Sequence, residues 1–131
     1  MSVIPSLSAG LAQLQALANY IDQGSSNATF VFYDDTKPSS TSVAVNDSAK
    51  LVVLELPKPS LLSVNSSSIS LKPTESGTVT KTGTAAWARL FNGNGAVVAD
   101  FEVGADITLN SVDMVLGGTV SISAITFTPS T

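Results

Sequence analysis

Two carboxylate pairs are the residues of this chain with the clearest potential for chemistry. Asp34 and Asp35 are adjacent, so a strand would point them to opposite faces, whereas a loop would let them help to bind Ca²⁺. Asp100 and Glu102 would share one face of a strand at about 7 Å, a spacing loosely compatible with an inverting glycosidase. For both pairs we favour structural roles, as a solvated turn and as a solvated or partner-facing strand edge.

Trp87 is the only tryptophan, and it offers an aromatic face on which a sugar ring could stack. Tyr33 is the second candidate for such a sugar platform. Arg89 follows Trp87 by two residues and therefore shares its strand face. We favour an interior aromatic ring with a surface charge nearby. The Asn92–Gly95 segment is too short for a calcium-binding EF-hand loop and lacks its glutamate, so we interpret it as a turn.

Composition removes several classes of function. The sequence has no cysteine and no histidine, which excludes disulfides, thiolate or imidazole metal sites, and Ser-His or Cys-His catalysis. The net charge is −4 and the six basic residues are scattered, which argues against nucleic-acid binding. No apolar run approaches the roughly 20 residues that span a bilayer. We therefore predict no cofactor, no metal, and neither a nucleic-acid nor a membrane partner.

An amphipathic helix is predicted near the N-terminus. Ser6 or Ser8 is its candidate N-cap, and Gly24 its candidate residue after the C-cap. We favour a helix that packs on the sheet of its own domain. The alternative is docking on a neighbouring subunit, which makes the first three residues of the stripe a candidate interface. Apolar residues recur along one helix face at three- and four-residue steps, namely Leu7, Leu11, Leu14, Ala18 and Ile21.

Short strands are predicted over most of the remaining chain. A polar segment over residues 39–47 separates the first two strands and is a candidate mobile loop. Residues 51–56 are nearly all apolar, which indicates a strand covered on both faces. After residue 78, alternating residues and glycine turns predict consecutive strands that include residues 105–110. The strands predicted before that point cover residues 29–33, 51–56, 61–65 and 69–71.

The Asn92–Gly95 segment sets the register of one hairpin. A two-residue type I′ turn at Asn94-Gly95 places Arg89 opposite Asp100 and Phe91 opposite Val98. A turn at Asn92-Gly93 would instead place Arg89 opposite Ala96, and a four-residue loop over 92–95 is a further alternative. We prefer the first register because it pairs the only arginine with a carboxylate. An exposed pair contributes about 0.2–1 kcal/mol.

The last predicted strand changes phase along its length. Val120 and Ile122 lie on one face, whereas Ile125 and Phe127 lie on the other. The change indicates either a bulge near Ala124 or burial of both faces. Burial of both faces would require a partner surface, so Ile125 and Phe127 join the candidate interface.

These patterns predict an all-β fold, an antiparallel β-sandwich with one short N-terminal α-helix. A jelly-roll is one arrangement of its strands. The helical segment occupies residues 1–25 and the sandwich residues 26–131, and together they form a single domain.

Two glycine-rich motifs carry a resemblance to a known family. One is Gly83–Leu90 followed by Asn92 and Gly95–Asp100, and the other is Ala105–Ser111 followed by Gly117–Ile122. Both resemble small virion proteins of tailed bacteriophages. The resemblance covers most of the chain and is clearest after Gly83, whereas the middle segment, residues 39–71, departs from the family pattern. It implies a non-enzymatic β-sandwich built into a virion.

From that resemblance we expect a capsid decoration or cement protein that acts as a homo-oligomer, with a trimer favoured. Its partners would be its own copies and the capsid or tail proteins, and it would be assembled into the virion in the host cytoplasm. The alternative is a tail-tip or collar component that binds host glycans and exposes Trp87 or Tyr33. A carboxylate glycosidase that uses Asp100 and Glu102 is the third hypothesis.

Overall fold

The protein is described by a computed structural model over residues 4–105, 107, 109, 111–122 and 125–129. These residues contain one α-helix, a short 3₁₀ turn at Asp47–Ala49, and strands paired in antiparallel sheets. The predicted β-rich class with an N-terminal helix is therefore confirmed. The elements are α1 (Leu7–Ile21), β1 (Thr29–Tyr33), β2 (Lys50–Glu55), β3 (Leu61–Val64), β4 (Ile69–Leu71), β5 (Gly77–Thr78), β6 (Gly83–Thr84), β7 (Trp87–Phe91), β8 (Val97–Glu102), β9 (Asp113–Met114), β10 (Thr119–Val120) and β11 (Ile125–Phe127).

The strands form two larger sheets and two short ladders. The four-stranded sheet has the order β2-β1-β7-β8, and the three-stranded sheet has the order β11-β4-β3. The ladders pair β10 with β5 and β6 with β9. Thus the four-stranded sheet has β2 at one edge and β8 at the other.

Helix α1 begins and ends close to the predicted residues. Ser6 is the N-cap, and its hydroxyl accepts a hydrogen bond from the Ala9 amide at 3.2 Å. Asp22 is the C-cap. Gly24 has a positive φ of 105°, but it lies two residues after the C-cap and not directly after it as predicted. The Asp22 carboxylate also accepts from the Ser60 amide at 3.0 Å, which ties the helix end to the chain before β3. Within the described part of the chain, no helix has the length and apolarity of a membrane span.

The main core includes side chains from the helix and from both larger sheets. Ala18 and Ile21 are buried in it, while Leu11 and Leu14 pack partly buried against it. The favoured interpretation, in which the helix packs on its own domain, is therefore confirmed. Its buried strand residues include Phe30, Phe32, Leu54, Ile69, Leu71, Leu90 and Ile125.

Strand β2 departs from its prediction on one face. Leu51, Val52 and Leu54 are buried, but the side chain of Val53 is 41 % exposed. The continuous apolar sequence thus predicted the strand correctly, but the predicted burial of both its faces is wrong at Val53. One solvent-exposed valine costs little stability, because folded proteins commonly expose single apolar residues.

The β7–β8 hairpin confirms one predicted contact and corrects another. Arg89 pairs with Asp100, but Phe91 pairs with Val97 because a bulge shifts the register after Leu90. The loop covers residues 92–96, and within it the Gly95 amide donates to the Asn92 carbonyl at 2.9 Å. Only Gly95 has a positive φ there, 81°, whereas a type I′ turn would also need one at Asn94.

The predicted last strand is divided between two sheets. Val120 belongs to β10 and pairs with β5, whereas Ile125 belongs to β11 and pairs with β4. Ile122 and Ile125 are nevertheless both buried in the main core. The change of phase therefore arises between two strands, and Ile125 needs no partner surface. The bulge proposed near Ala124 lies outside the described residues.

The strand predicted over residues 105–110 lies partly outside the described residues as well. Ile107 is described and forms an isolated parallel bridge with Val103. It is buried in the main core.

Candidate functional site

One face of the four-stranded sheet packs on the main core, and a stack of three side chains covers the other face. Tyr33 of β1 lies in register with Trp87 of β7, and Val31 lies in register with Arg89. The Tyr33 and Trp87 rings are stacked, with centroids 4.5 Å apart and planes at 20°. The guanidinium carbon of Arg89 lies 5.3 Å from the centroid of the Trp87 ring, within cation–π distance.

Arg89 and Asp100 form a buried, bidentate ion pair at one end of this stack. Arg89 Nε donates to Asp100 Oδ1 at 2.7 Å, and Nη2 donates to Oδ2 at 3.0 Å. The two side chains are only 3 % and 6 % exposed. The pair was predicted from the hairpin register, but as an exposed pair. Its burial changes its energetics, because neither charge has water as an alternative partner.

The loop between β1 and β2, residues 34–46, forms a strap over the stack. Arg89 Nη1 donates to the Val43 carbonyl at 2.7 Å. Asp35 Oδ1 accepts from Trp87 Nε1 at 2.7 Å. At the base of the strap, Lys81 donates to Asp34 at 2.8 Å. The strap is therefore fastened at three points, and one of them, Val43, lies in the segment over residues 39–47 that we predicted as a candidate mobile loop.

The strap helps to cover the two rings that we predicted as a candidate sugar platform. Trp87 is 1 % exposed and Tyr33 is 2 % exposed, because the strap, the ion pair and the neighbouring ring cover them. A stacking platform needs an accessible face, so these two rings do not provide one in this conformation. The favoured interpretation of Trp87 as an interior aromatic is confirmed, while the charge beside it is buried as well.

The three aspartates that suggested chemistry serve structural contacts. Asp34 accepts from Lys81 and Asp35 from Trp87. Among the residues described, no group of three or more acidic side chains is placed to hold a metal ion. Both oxygens of Asp100 accept from Arg89, so the predicted solvated edge is wrong for this residue. Its carboxylate is a counter-ion within the fold.

Burial also shifts proton affinities in the stack. Loss of hydration raises the pKa of the Tyr33 phenol to about 12, because the phenolate would lose its water. The hydrogen bond to Asp100 raises the pKa of Arg89 above its ordinary value, so the guanidinium is charged at any pH of interest. Arg89 therefore always contributes a positive charge to the ion pair.

Tyr33 should make the fold sensitive to alkali. Its pKa is 10.0 when hydrated and about 12 when folded, so the unfolded chain loses the proton first and stability falls as pH rises. We expect the free energy of unfolding to decrease by about 2 kcal/mol between pH 9 and pH 12, given about 1.4 kcal/mol per pKa unit. Urea titrations at each pH measure this loss. The Tyr33→Phe variant, which cannot ionise, should lose that much less over the same range, and equal losses would contradict the assignment.

The candidate interface residues do not form one exposed patch. Ile125 is buried, and the Phe127 ring stacks on Phe101 at 5.6 Å. Leu7 is 45 % exposed at the start of the helix. The helix and the last strand are nevertheless brought together, because Leu14 and Phe127 line one groove. This groove of about 450 Å³ is mostly apolar, and it is lined by Leu14, Leu17, Ala99, Phe101, Ala105 and Phe127 together with Thr126 and Thr128.

Fold and site together define a β-rich protein of antiparallel sheets with an N-terminal helix and a strapped, buried aromatic–ionic stack. Comparison with family models, with curated proteins and with solved structures gave no match in any of the three.

Proposed function

We propose that this chain is a non-enzymatic structural protein that assembles with copies of itself in the virion of a tailed bacteriophage, as a capsid decoration or cement protein. The observation that carries the self-assembly is a set of exposed large apolar side chains on a charge-poor protein. The phage context rests on the motifs after Gly83. The exposed residues include Ile4, Leu7, Leu62, Val64, Val115 and Leu116, which are 45–82 % exposed.

The architecture that we propose is a β-sandwich in one domain. The four-stranded and three-stranded sheets would pack face to face, which is supported by the single core that Phe30, Leu90, Leu71 and Ile125 share. Ile21 of the helix belongs to the same core, so the segments over residues 1–25 and 26–131 fold as one unit. A rigid unit of this kind suits a building block of a shell.

The mechanism is mass action. Each added copy buries apolar surface across a boundary between subunits, and burial stabilises the assembled state against the dissociated one. A trimer at the threefold positions of a capsid would bridge neighbouring capsid subunits. The shell then dissociates at a higher temperature, because the decoration has to leave first.

Binding to particles tests this proposal. The purified protein is added to phage shells assembled without it, and the mixture is sedimented. We expect cosedimentation that saturates at a fixed number of copies per shell, together with a higher temperature of shell disruption by calorimetry. An unrelated acidic protein of similar size serves as the control. A protein that stays monomeric and leaves the shells unchanged would overturn the proposal.

The alternative, a tail-tip or collar component that binds host glycans, loses its structural support at the buried rings of Trp87 and Tyr33. It would need another aromatic surface. Electron microscopy of the intact particle separates the two placements directly.

A further inference from the structure

One turn of the protein exposes apolar residues where turns are normally polar. Val115 and Leu116 are each 64 % exposed. The Gly118 amide donates to the Val115 carbonyl at 2.8 Å, and Gly117 has a φ of 87°, which together define a type II β-turn. We call Val115–Gly118 the apolar turn. Its two large side chains project where water would otherwise surround them.

The apolar turn lies beyond one edge of the four-stranded sheet. The Thr80 amide donates to the carbonyl of Leu51 in β2 at 2.8 Å, so the segment before β6 runs along that edge. Val79 is in turn bonded to both glycines of the turn, at 2.8 and 2.9 Å. The Leu116 amide is held by the hydroxyl of Thr82 at 3.0 Å. A backbone fixed by these contacts holds the turn in a defined position.

The apolar groove between α1, β8 and β11 lies at the opposite edge of the same sheet, since β8 is the edge strand farthest from β2. Its volume of about 450 Å³ falls in the range of pockets that hold whole small molecules, about 300–1,000 Å³, so two aliphatic side chains fit within it. Among the described residues that line it, none is charged. The protein thus carries an apolar projection at one edge and an apolar groove at the other.

We propose that the apolar turn of one copy inserts into the apolar groove of the next copy, so that the protein closes into a ring. Two different surfaces meet in this contact, and heterologous contacts of that kind generate rings when the rotation closes. The inference rests on the proposed self-assembly and specifies its interface.

Charge restricts where two copies can meet. The chain has a net charge of −4, so two copies repel each other over most of their surfaces. The turn and the described residues of the groove lining are both uncharged, so this contact places no carboxylate of the turn against one of those residues. Two anchoring side chains form a hot spot, and a stable interface of roughly 800 Å² per partner would be completed by the flanking edges of the sheet.

Two charged variants and their mixture test the ring. Leu116→Asp disables the turn, and Ala105→Glu places a carboxylate at the exposed lip of the groove. Sedimentation velocity at a concentration at which the wild type is oligomeric should show each variant alone as a monomer. An equimolar mixture should form a one-to-one dimer, because one variant retains the groove and the other retains the turn. The added charges have the same sign, so the two altered surfaces cannot attract each other.

Ser66→Asp is the matched control, since Ser66 is exposed in the turn between β3 and β4 and belongs neither to the apolar turn nor to the groove lining. It should keep the wild-type oligomer, and thermal melts should show that all three variants are folded. If the turn and groove variants stay oligomeric, this interface is wrong while self-assembly stands. If the wild type is monomeric up to millimolar concentration, the ring and the proposed self-assembly are both overturned. A mixture that remains monomeric would also contradict the ring.

Discussion

Replacing Asp100 with alanine is expected to lower the free energy of unfolding by about 3–5 kcal/mol. The carboxylate accepts two hydrogen bonds from Arg89, and both side chains are almost fully buried. Its removal leaves the guanidinium uncompensated beside the Trp87 ring, because the arginine cannot lose its proton in the folded protein. Chemical denaturation of the variant at neutral pH measures the loss.

A second variant separates the charge from the packing. When Arg89 and Asp100 are both replaced by leucine, no buried charge is left, and replacements of this kind are often neutral or stabilising. Here Arg89 also holds the carbonyl of Val43, so the double variant should release the strap. We therefore expect it to be more stable than Asp100→Ala, yet cleaved faster by protease within residues 34–46.

The energetic comparison decides how the ion pair works. If Asp100→Ala costs less than 1 kcal/mol, the pair behaves as a solvated one and the strap does not exclude water. If the double variant is the less stable of the two, the pair contributes more through its geometry and its bond to the strap than it costs in desolvation. Trp87 reports the same event, since a released strap shifts its fluorescence to longer wavelength.

Local pattern was enough for the elements with strong sequence signals. Strand β1 was predicted over its full length because β-branched and aromatic residues at 29–33 are bounded by turn residues. The Arg89–Asp100 register followed from the turn glycines and one cross-strand pair. The predicted type I′ turn was nevertheless wrong. The loop has a different turn, and with a bulge between Leu90 and Phe91 Arg89 still pairs with Asp100.

The strap and the division of the last strand depend on contacts that no local pattern contains. Arg89 holds the strap through the carbonyl of Val43, and carbonyls are present at every residue. One signal was available, because Val31 and Tyr33 alternate with Phe30 and Phe32 and make both faces of β1 apolar. A second covering layer was therefore required. Nothing local showed that the polar loop after β1 supplies it.

Replacing Gly93 with alanine is expected to cost about 3 kcal/mol and to lower the melting temperature by about 10 °C. The tip of the β7–β8 hairpin approaches the chain that follows helix α1 with backbone against backbone. A Cβ at Gly93 would lie 2.6 Å from the Gln23 carbonyl oxygen and still closer to that of Ser26. Neither oxygen belongs to a side chain that can rotate away, so one segment has to move.

Moving that segment disturbs other bonds at once. The Asn92 side chain, which is buried, donates to the Tyr20 carbonyl at 3.3 Å and accepts from the Asn94 and Ala96 amides at 3.0 Å. Relief of the clash therefore requires the hairpin tip and the helix end to separate. Asn92 then loses the Tyr20 carbonyl as a partner, which adds to the steric cost.

Gly95→Ala is the matched control in the same loop. Among the described residues, Gly95 has no atom beyond its chain neighbours within 4 Å of the position of a Cβ. Its φ is 81°, so alanine there meets backbone strain of about 1–2 kcal/mol without a clash. The order of stabilities should be wild type, Gly95→Ala, then Gly93→Ala. A Gly93→Ala protein at least as stable as Gly95→Ala would show that the hairpin tip and the helix end are not in contact. If Gly93 were not crowded, alanine there would stabilise the protein by about 0.4–1 kcal/mol, because it restricts the unfolded chain. The crowded and the uncrowded arrangement therefore predict changes of opposite sign in the free energy of unfolding.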